Sequence, residues 1–144
     1  GPGQRPDMAF HKFLKAVHRG EPITVYGTGR QTRDFTYVDD IVAANRAALE
    51  RGRAGQVYNV GGGHRERLDR ILKILESVCG CPVLRRRADP QKGDAPHTFA
   101  DISKAERELG FAPQTGLADG LAAEWDYIRR IYPARPSRRR GGPS

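Results

Sequence analysis

Gly27-Thr28-Gly29-Arg30-Gln31-Thr32-Arg33-Asp34-Phe35-Thr36-Tyr37-Val38-Asp39-Asp40 is the stretch on which the reading of this chain turns. It follows a short apolar strand pattern, Ile23-Thr24-Val25-Tyr26, and runs into a helical pattern near Asp40. Two glycines with one residue between them permit a turn in which the backbone takes positive φ. Asp39 or Asp40 stands where a helix cap accepts hydrogen bonds from free N–H groups. Between turn and cap lies Arg33, whose planar guanidinium suits phosphate oxygens. By residue type alone, an arginine in a polar loop is more often a solvated charge or half of a surface ion pair. The neighbouring strings decide between the two.

The 144 residues fit one domain with a modest core. Hydrophobic residues make up 38% and charged ones 29%, a lean composition that is still not that of a disordered chain. The formal net charge of +8 is concentrated: Arg85, Arg86 and Arg87 form one run, and Arg129, Arg130, Arg135, Arg138, Arg139 and Arg140 crowd the end. Such an excess favours anionic partners, whether nucleic acid, anionic lipid or a diphosphate-bearing metabolite. Cys79-Gly80-Cys81 places the two cysteines too close for an unstrained bridge, and no second Cys/His pair completes a metal site. They read as cytosolic thiols at a helix end. No run reaches the length of a membrane span and no signal-peptide pattern opens the chain, so the expected location is cytoplasmic.

Apolar residues at helical spacing recur along the chain. Phe10, Phe13, Leu14 and Val17 form one stripe, ended by Gly20, with His11 and His18 flanking it as surface residues. A second helix is expected from about Asp40 to Arg51, with Ile41, Ala44 and Ala48 inward and Gly52 as its stop. Leu68, Ile71, Leu72, Leu75 and Val78 mark the clearest amphipathic helix, with Arg67 as an unfavourable cap at its positive end. Ser103-Lys104-Ala105-Glu106 has capping-box spacing, with Ile102, Ala105 and Leu109 on one face and Gly110 past the end. Leu117, Leu121, Trp125 and Ile128 form the last stripe. Strands are expected at Ile23–Tyr26, at Gln56–Val60 and at Val83-Leu84. Gly61-Gly62-Gly63 lacks phosphate-loop spacing. Pro90 to Pro96 reads as a loop, and residues 133–144 as a disordered basic tail.

Four strings then fall in one order. Gln31-Thr32-Arg33-Asp34-Phe35-Thr36-Tyr37-Val38-Asp39-Asp40 resembles the "RDF-x-YV-x-D" segment of NAD-dependent nucleotide-sugar epimerases and dehydratases, the extended short-chain dehydrogenase/reductase family. Gly1-Pro2-Gly3-Gln4-Arg5-Pro6-Asp7-Met8 resembles the end of the family's "YGP…RPDM" segment. Val57-Tyr58-Asn59-Val60-Gly61-Gly62-Gly63 is similar to its "YN-[IVL]-G-x-G" strand, and Gln91-Lys92-Gly93-Asp94 with Thr98-Phe99-Ala100-Asp101 to its "[RQ]-P-G-D…AD" loop. Together, over residues 1 to about 132, they make a specific match.

The resemblance implies an α/β fold: the carboxy-terminal, substrate-binding part of an extended Rossmann-type enzyme, small and mixed, with short strands and about five helices. Residues 1–132 would be that substrate-binding portion, with about 39–63 a helix–strand piece of the Rossmann domain. The amino-terminal Rossmann core, with its glycine-rich NAD loop and catalytic Tyr-x-x-x-Lys, would be absent; no Tyr of this chain has Lys four residues on. The resemblance therefore implies NAD as cofactor of the whole enzyme but not of this chain alone, no catalytic residue here, and a UDP-sugar or related nucleotide-sugar as ligand. It also implies the missing amino-terminal half as a partner and a homodimer for the whole enzyme.

A nucleotide sugar calls for a cation at the diphosphate, a flat slot for the base and hydrogen bonds to hydroxyls. Arg33 is the expected diphosphate ligand. In the resembling enzymes the segment at Thr24 and Tyr26 lies along the uracil; the plain alternative is that Tyr26 packs on the core. Gln91 stands where a second arginine is common, a Gln also seen among the resembling uronate-type 4-epimerases, and Lys92, where Pro is usual, supplies charge nearby or points to water. Asp94 suits a ribose hydroxyl or stabilises its turn. Thr98, in place of a frequent Tyr, leaves room beside the hexose, and Met8 belongs to the matching substrate segment. The leading function is a nucleotide-sugar 4-epimerase of the UDP-glucose/UDP-glucuronate type; a dehydratase or decarboxylase is the alternative within the family. A small basic nucleic-acid binder is the alternative of another class, disfavoured because aromatic residues do not interleave with the arginine runs.

Overall fold

Burial of one face on each of five helices sets the architecture, seen here in a computed structural model that describes residues 5–63, 65–89 and 97–132. The helices are α1, Ala9–Arg19; α2, Val38–Arg51; α3, Leu68–Cys79; α4, Ser103–Leu109; and α5, Leu117–Ile131. Between them run four short strands: β1, Ile23–Tyr26; β2, Thr32–Asp34; β3, Arg65–Arg67; and β4, Arg85–Ala88. β1 and β4 pair in parallel, with Thr24 opposite Arg86 and Tyr26 opposite Ala88. β2 and β3 pair antiparallel, with Arg33 opposite Glu66. This is the mixed α/β fold of short strands and five helices that the sequence implies.

The apolar side chains gather into two clusters. Leu14, Ile23, Val25, Ile71, Leu72, Leu75, Val83, Leu121 and Ile128 bind α1, β1, α3 and α5 into the larger one. Ala44, Ala47, Ile102, Ala105, Leu109 and Phe111 join α2 to α4 in the smaller. Two carboxylates tie distant segments together around them. Asp34 Oδ1 accepts the Gly62 N–H at 2.9 Å and its Oδ2 accepts the Ala100 N–H at 3.2 Å. The approach is so close that a Cβ on Gly62 would sit 2.0 Å from the Phe35 carbonyl oxygen, and one on Gly61 2.6 Å from Asp34 Oδ2. Those glycines are required by packing.

Asp40, only 4% exposed, accepts the Gln114 and Thr115 N–H groups at 3.0 and 3.1 Å. It fastens the approach to α5 and does not cap its own helix, correcting the expectation for Asp39 or Asp40. α2 starts two residues earlier than expected, at Val38, with Tyr37 as its cap. Inside α5, Gly120 lets the Tyr37 ring approach: a Cβ there would lie 3.1 Å from the ring.

Other expectations also shift for physical reasons. Thr32–Asp34, read as loop, is a strand because it finds β3 as partner. The arginine run itself forms β4, whereas Val83, expected in the strand, is buried in the larger core. Gln56–Val60 is not a strand in either sheet; the Val57 carbonyl accepts from Lys104 Nζ at 3.0 Å and Tyr58 donates to Glu108 at 3.1 Å. At α4, Ile102 is the cap residue and Asp101 Oδ1 takes both the Ser103 N–H and its hydroxyl, so the helix start does not rest on a Ser103–Glu106 box. Those bonds hold the Asp101 carboxyl below its usual range. Cys79 ends α3 as a free thiol, pushed up to about 11 chiefly by burial, and is correspondingly unreactive. Among the described residues, no helix is long and apolar enough to cross a membrane.

His11 and His18 are not the surface residues expected. The end of α5 folds over them: His11 Nε2 lies 3.0 Å from the Tyr132 hydroxyl, and His18 Nε2 donates to the Tyr132 carbonyl at 2.8 Å. Lys15 and Arg19 cover the Tyr132 ring. Glu124 is drawn into the same region, and burial raises its pKa despite the attraction of His11.

Two predictions follow from these contacts. Asp34→Ala leaves the Gly62 and Ala100 N–H groups unpaired and should cost about 2–4 kcal/mol in urea unfolding; Gly62→Ala should be at least as damaging. A carboxyl with a raised folded-state pKa stabilises the fold when protonated, and that contribution is lost as pH rises through the folded value. Glu124→Gln should therefore raise the thermal midpoint at pH 7, with the gain vanishing below about pH 4, where the native carboxyl is neutral in both states.

Candidate functional site

Local geometry at the start of α3 explains how the glycine turn builds a cleft. Arg67, the cap residue, makes no side-chain capping bond to the helix backbone; it forks onto the Asp69 carboxylate at 3.1 and 2.7 Å. The free N–H groups of Leu68 and Asp69 donate instead to the carbonyls of Gln31 and Gly29, both at 3.2 Å. Gly27 and Gly29 take φ values of 64° and 73°, which let the turn present those carbonyls. The turn is thereby locked to α3, and Gln31 closes it further by donating its amide to the Tyr26 carbonyl at 3.2 Å.

A cleft of about 260 Å³ opens beside this junction. Its lining comes from Asp7, Ala9, Lys12 and Phe13 at α1, Thr24 and Tyr26 of β1, Gln31, Arg33 and Phe35, and Leu68 and Ile71 of α3. Strand alternation decides which residues of β1 reach it: Ile23 and Val25 are buried, while Thr24 and Tyr26 are not. Tyr26 remains 39% exposed, so the alternative of a core-packed ring does not hold. Arg33, at the middle of β2, donates from Nη1 to the Thr32 carbonyl at 2.8 Å while lining the cleft. Phe35 is braced by Phe10, ring centroids 4.3 Å apart. Two cations and one carboxylate thus face an aromatic and aliphatic slot, which suits a flat, anionic ligand.

The structure brings together three of the expected site residues, Arg33, Tyr26 and Thr24. Met8 lies outside the lining, 44% exposed at the cap of α1, although its neighbours Asp7 and Ala9 belong to it. Thr98 is exposed and also outside the lining; its N–H donates to the Thr32 carbonyl, the acceptor that Arg33 uses, at 3.2 Å. Beside it, His97 Nδ1 meets the Thr32 hydroxyl at 2.8 Å. Gln91, Lys92 and Asp94 lie outside the described residues. Sequence reasoning missed Lys12, Phe13, Gln31 and Phe35. Phe13 was legible only as a core residue, and nothing in the spacing marked Lys12.

Among the described residues, no group of three His, Cys, Asp or Glu side chains could hold a metal ion. Nor does the glycine triplet fit a dinucleotide: the space beside Gly61 and Gly62 is filled by Asp34, Phe35 and Ala100, leaving no cradle for a pyrophosphate.

Residues 1–61 match the family model described as the NAD dependent epimerase/dehydratase family. The chain is 38% identical over 146 residues to a probable UDP-glucuronate 4-epimerase of Rhizobium meliloti, covering 87% of this chain and 43% of that protein. It is 36% identical over 135 residues to a dTDP-glucose 4,6-dehydratase of Streptomyces griseus, covering 92% and 41%. The crystal structure of UDP-glucuronic acid 4-epimerase from Bacillus cereus in complex with UDP-glucuronic acid and NAD superimposes with a TM-score of 0.84 at 42% identity, over 90% of this chain and 42% of that one. The chain thus spans about two-fifths of the length of the relatives it matches. Its first 61 residues match the model of the NAD dependent epimerase/dehydratase family, and over most of its length it is similar to a portion of these longer epimerases and dehydratases.

Proposed function

We propose that this chain is the nucleotide-sugar-binding part of an NAD-dependent 4-epimerase acting on UDP-glucose or UDP-glucuronate. The observation that carries the reading is the placement of Arg33 in one cleft with Tyr26 and Thr24. Arg33 takes the diphosphate, with Lys12 as a second cation, and the base lies along β1 against Tyr26. Gln91, Lys92 and Asp94 complete the phosphate and ribose contacts, and the small Thr98 leaves room beside the hexose. The relatives of the uronate type favour that subclass. The dehydratase among the relatives keeps the 4,6-dehydratase reading as the second one.

Hydride transfer is the chemistry NAD supplies when bound, and we assign no proton-transfer role to a residue of this chain. We assign the cofactor site and the catalytic Tyr-x-x-x-Lys to an amino-terminal Rossmann half. α2 supports such a partner. Its Ala44 and Ala47 are buried against α4, yet Val38, Val42 and Leu49 form a second, exposed apolar stripe. A helix apolar on both faces is built to be covered twice. The whole enzyme is read as a cytoplasmic homodimer.

Isothermal calorimetry on the full 144-residue chain tests the binding assignment. UDP should bind, Arg33→Ala should weaken it at least about tenfold, and removal of residues 133–144 should leave it unchanged. Loss of binding on trimming, with steep salt dependence, would instead indicate a nucleic-acid binder driven by the basic end. The chain alone should neither bind NAD nor epimerise a UDP-sugar. Co-expression with the amino-terminal half of a close relative should yield a soluble complex with NAD-dependent epimerase activity, and Val42→Asp should prevent its assembly.

A further inference from the structure

The run Arg85-Arg86-Arg87 has no role in the contacts described so far, and the parity of β4 separates its members. Arg85 stands opposite Ile23 and Arg87 opposite Val25, the two residues of β1 buried in the core. Arg86 stands opposite Thr24. Side chains in register on neighbouring strands share a face, so Arg86 lies on the face of Thr24 and Tyr26, the residues that line the cleft. The bonds agree with the parity: Arg86 Nη2 donates to Thr24 Oγ1 at 3.3 Å, whereas Arg85 turns to Glu76 of α3 at 2.9 Å.

We propose that Arg86 selects the nucleobase of the ligand, favouring a pyrimidine with a carbonyl at position 4 over one with an amino group there. The inference rests on the proposed nucleotide-sugar reading of the cleft. The exposed Tyr26 ring offers a stacking platform on the sheet face that Thr24 and Arg86 share, and in the proposed pose a base laid on it turns its position-4 edge towards those two residues. A guanidinium only donates hydrogen bonds and carries a permanent charge. Uracil and thymine present an acceptor oxygen at that edge; cytosine presents a donor amino group, which leaves two donors facing each other. Thr24 holds the guanidinium at the rim and, having a hydroxyl, can pass from accepting one bond to sharing another with the base. Selection here is partly repulsion of the wrong base.

The test is calorimetric titration of the full chain with UDP, dTDP and CDP, comparing the native protein with Arg86→Ala, Arg86→Lys and Arg87→Ala. The native chain should bind UDP and dTDP about tenfold or more tightly than CDP. Arg86→Ala should bring the three affinities within about twofold of one another, while Arg86→Lys, which keeps N–H donors, should retain part of the preference. Arg87→Ala, on the other face, should leave the ratio as it is. A UDP-to-CDP ratio unchanged by Arg86→Ala, or an equal loss for all three nucleotides, would overturn the selection role while leaving the cleft assignment standing. Failure of the native chain to bind any nucleoside diphosphate would remove both.

Discussion

The Asp34 carboxylate is the interaction around which the remaining structure is arranged. Its two oxygens reach segments 28 and 66 residues further along the chain, at Gly62 and Ala100. A carboxylate accepting two backbone N–H groups is a strong pair of charge-assisted bonds, and it fixes direction as well as distance. Because Asp34 ends β2, those bonds also hold Arg33, its neighbour, at the cleft. The Arg33-Asp34 pair divides its work by strand parity: the Asp34 side chain binds the chain to itself, and the Arg33 side chain lines the cleft.

The cleft depends on a second economy of the backbone. α3 begins on an arginine that cannot cap it, and the carbonyls of the glycine turn take over its first N–H groups. The turn that carries Gln31 and the helix that carries Leu68 and Ile71 are therefore one rigid corner of the cleft. Asp40 does the comparable job for α5, holding Gln114 and Thr115 at the helix entry. Two helices thus draw their placement from backbone groups satisfied across the fold: the Asp40 carboxylate does this for α5, and the carbonyls of the turn do it for α3.

Division into two apolar clusters bears on the relationship with longer relatives. The larger cluster is closed on itself by α1, α3 and α5. The smaller one leaves an apolar stripe of α2 in solvent, beside a Gln56–Val60 segment that pairs with no strand in either sheet. That asymmetry agrees with a chain matching about two-fifths of each relative's length. It also separates the two tasks proposed for the whole enzyme, with ligand recognition on the self-contained side and the cofactor on the side left uncovered.

From the sequence alone came the helices, the glycine stops at Gly20 and Gly110, the strand Ile23–Tyr26 and three of the residues that line the cleft, Thr24, Tyr26 and Arg33. These are local matters, set by apolar periodicity, by φ preference and by short strings at fixed spacing. Only the tertiary structure decided what depends on a partner far away in the chain. It made β2 a strand by supplying β3, moved the strand expected at Val83-Leu84 onto the arginines, withheld one from Gln56–Val60, and buried His11 beneath Tyr132. The carboxylates show the same limit: Asp40 looks like a helix cap to its neighbours, yet its hydrogen bonds go to residues more than seventy positions away. A hydrogen-bonding group takes whichever donor the fold brings within 3 Å, and sequence spacing does not encode that distance.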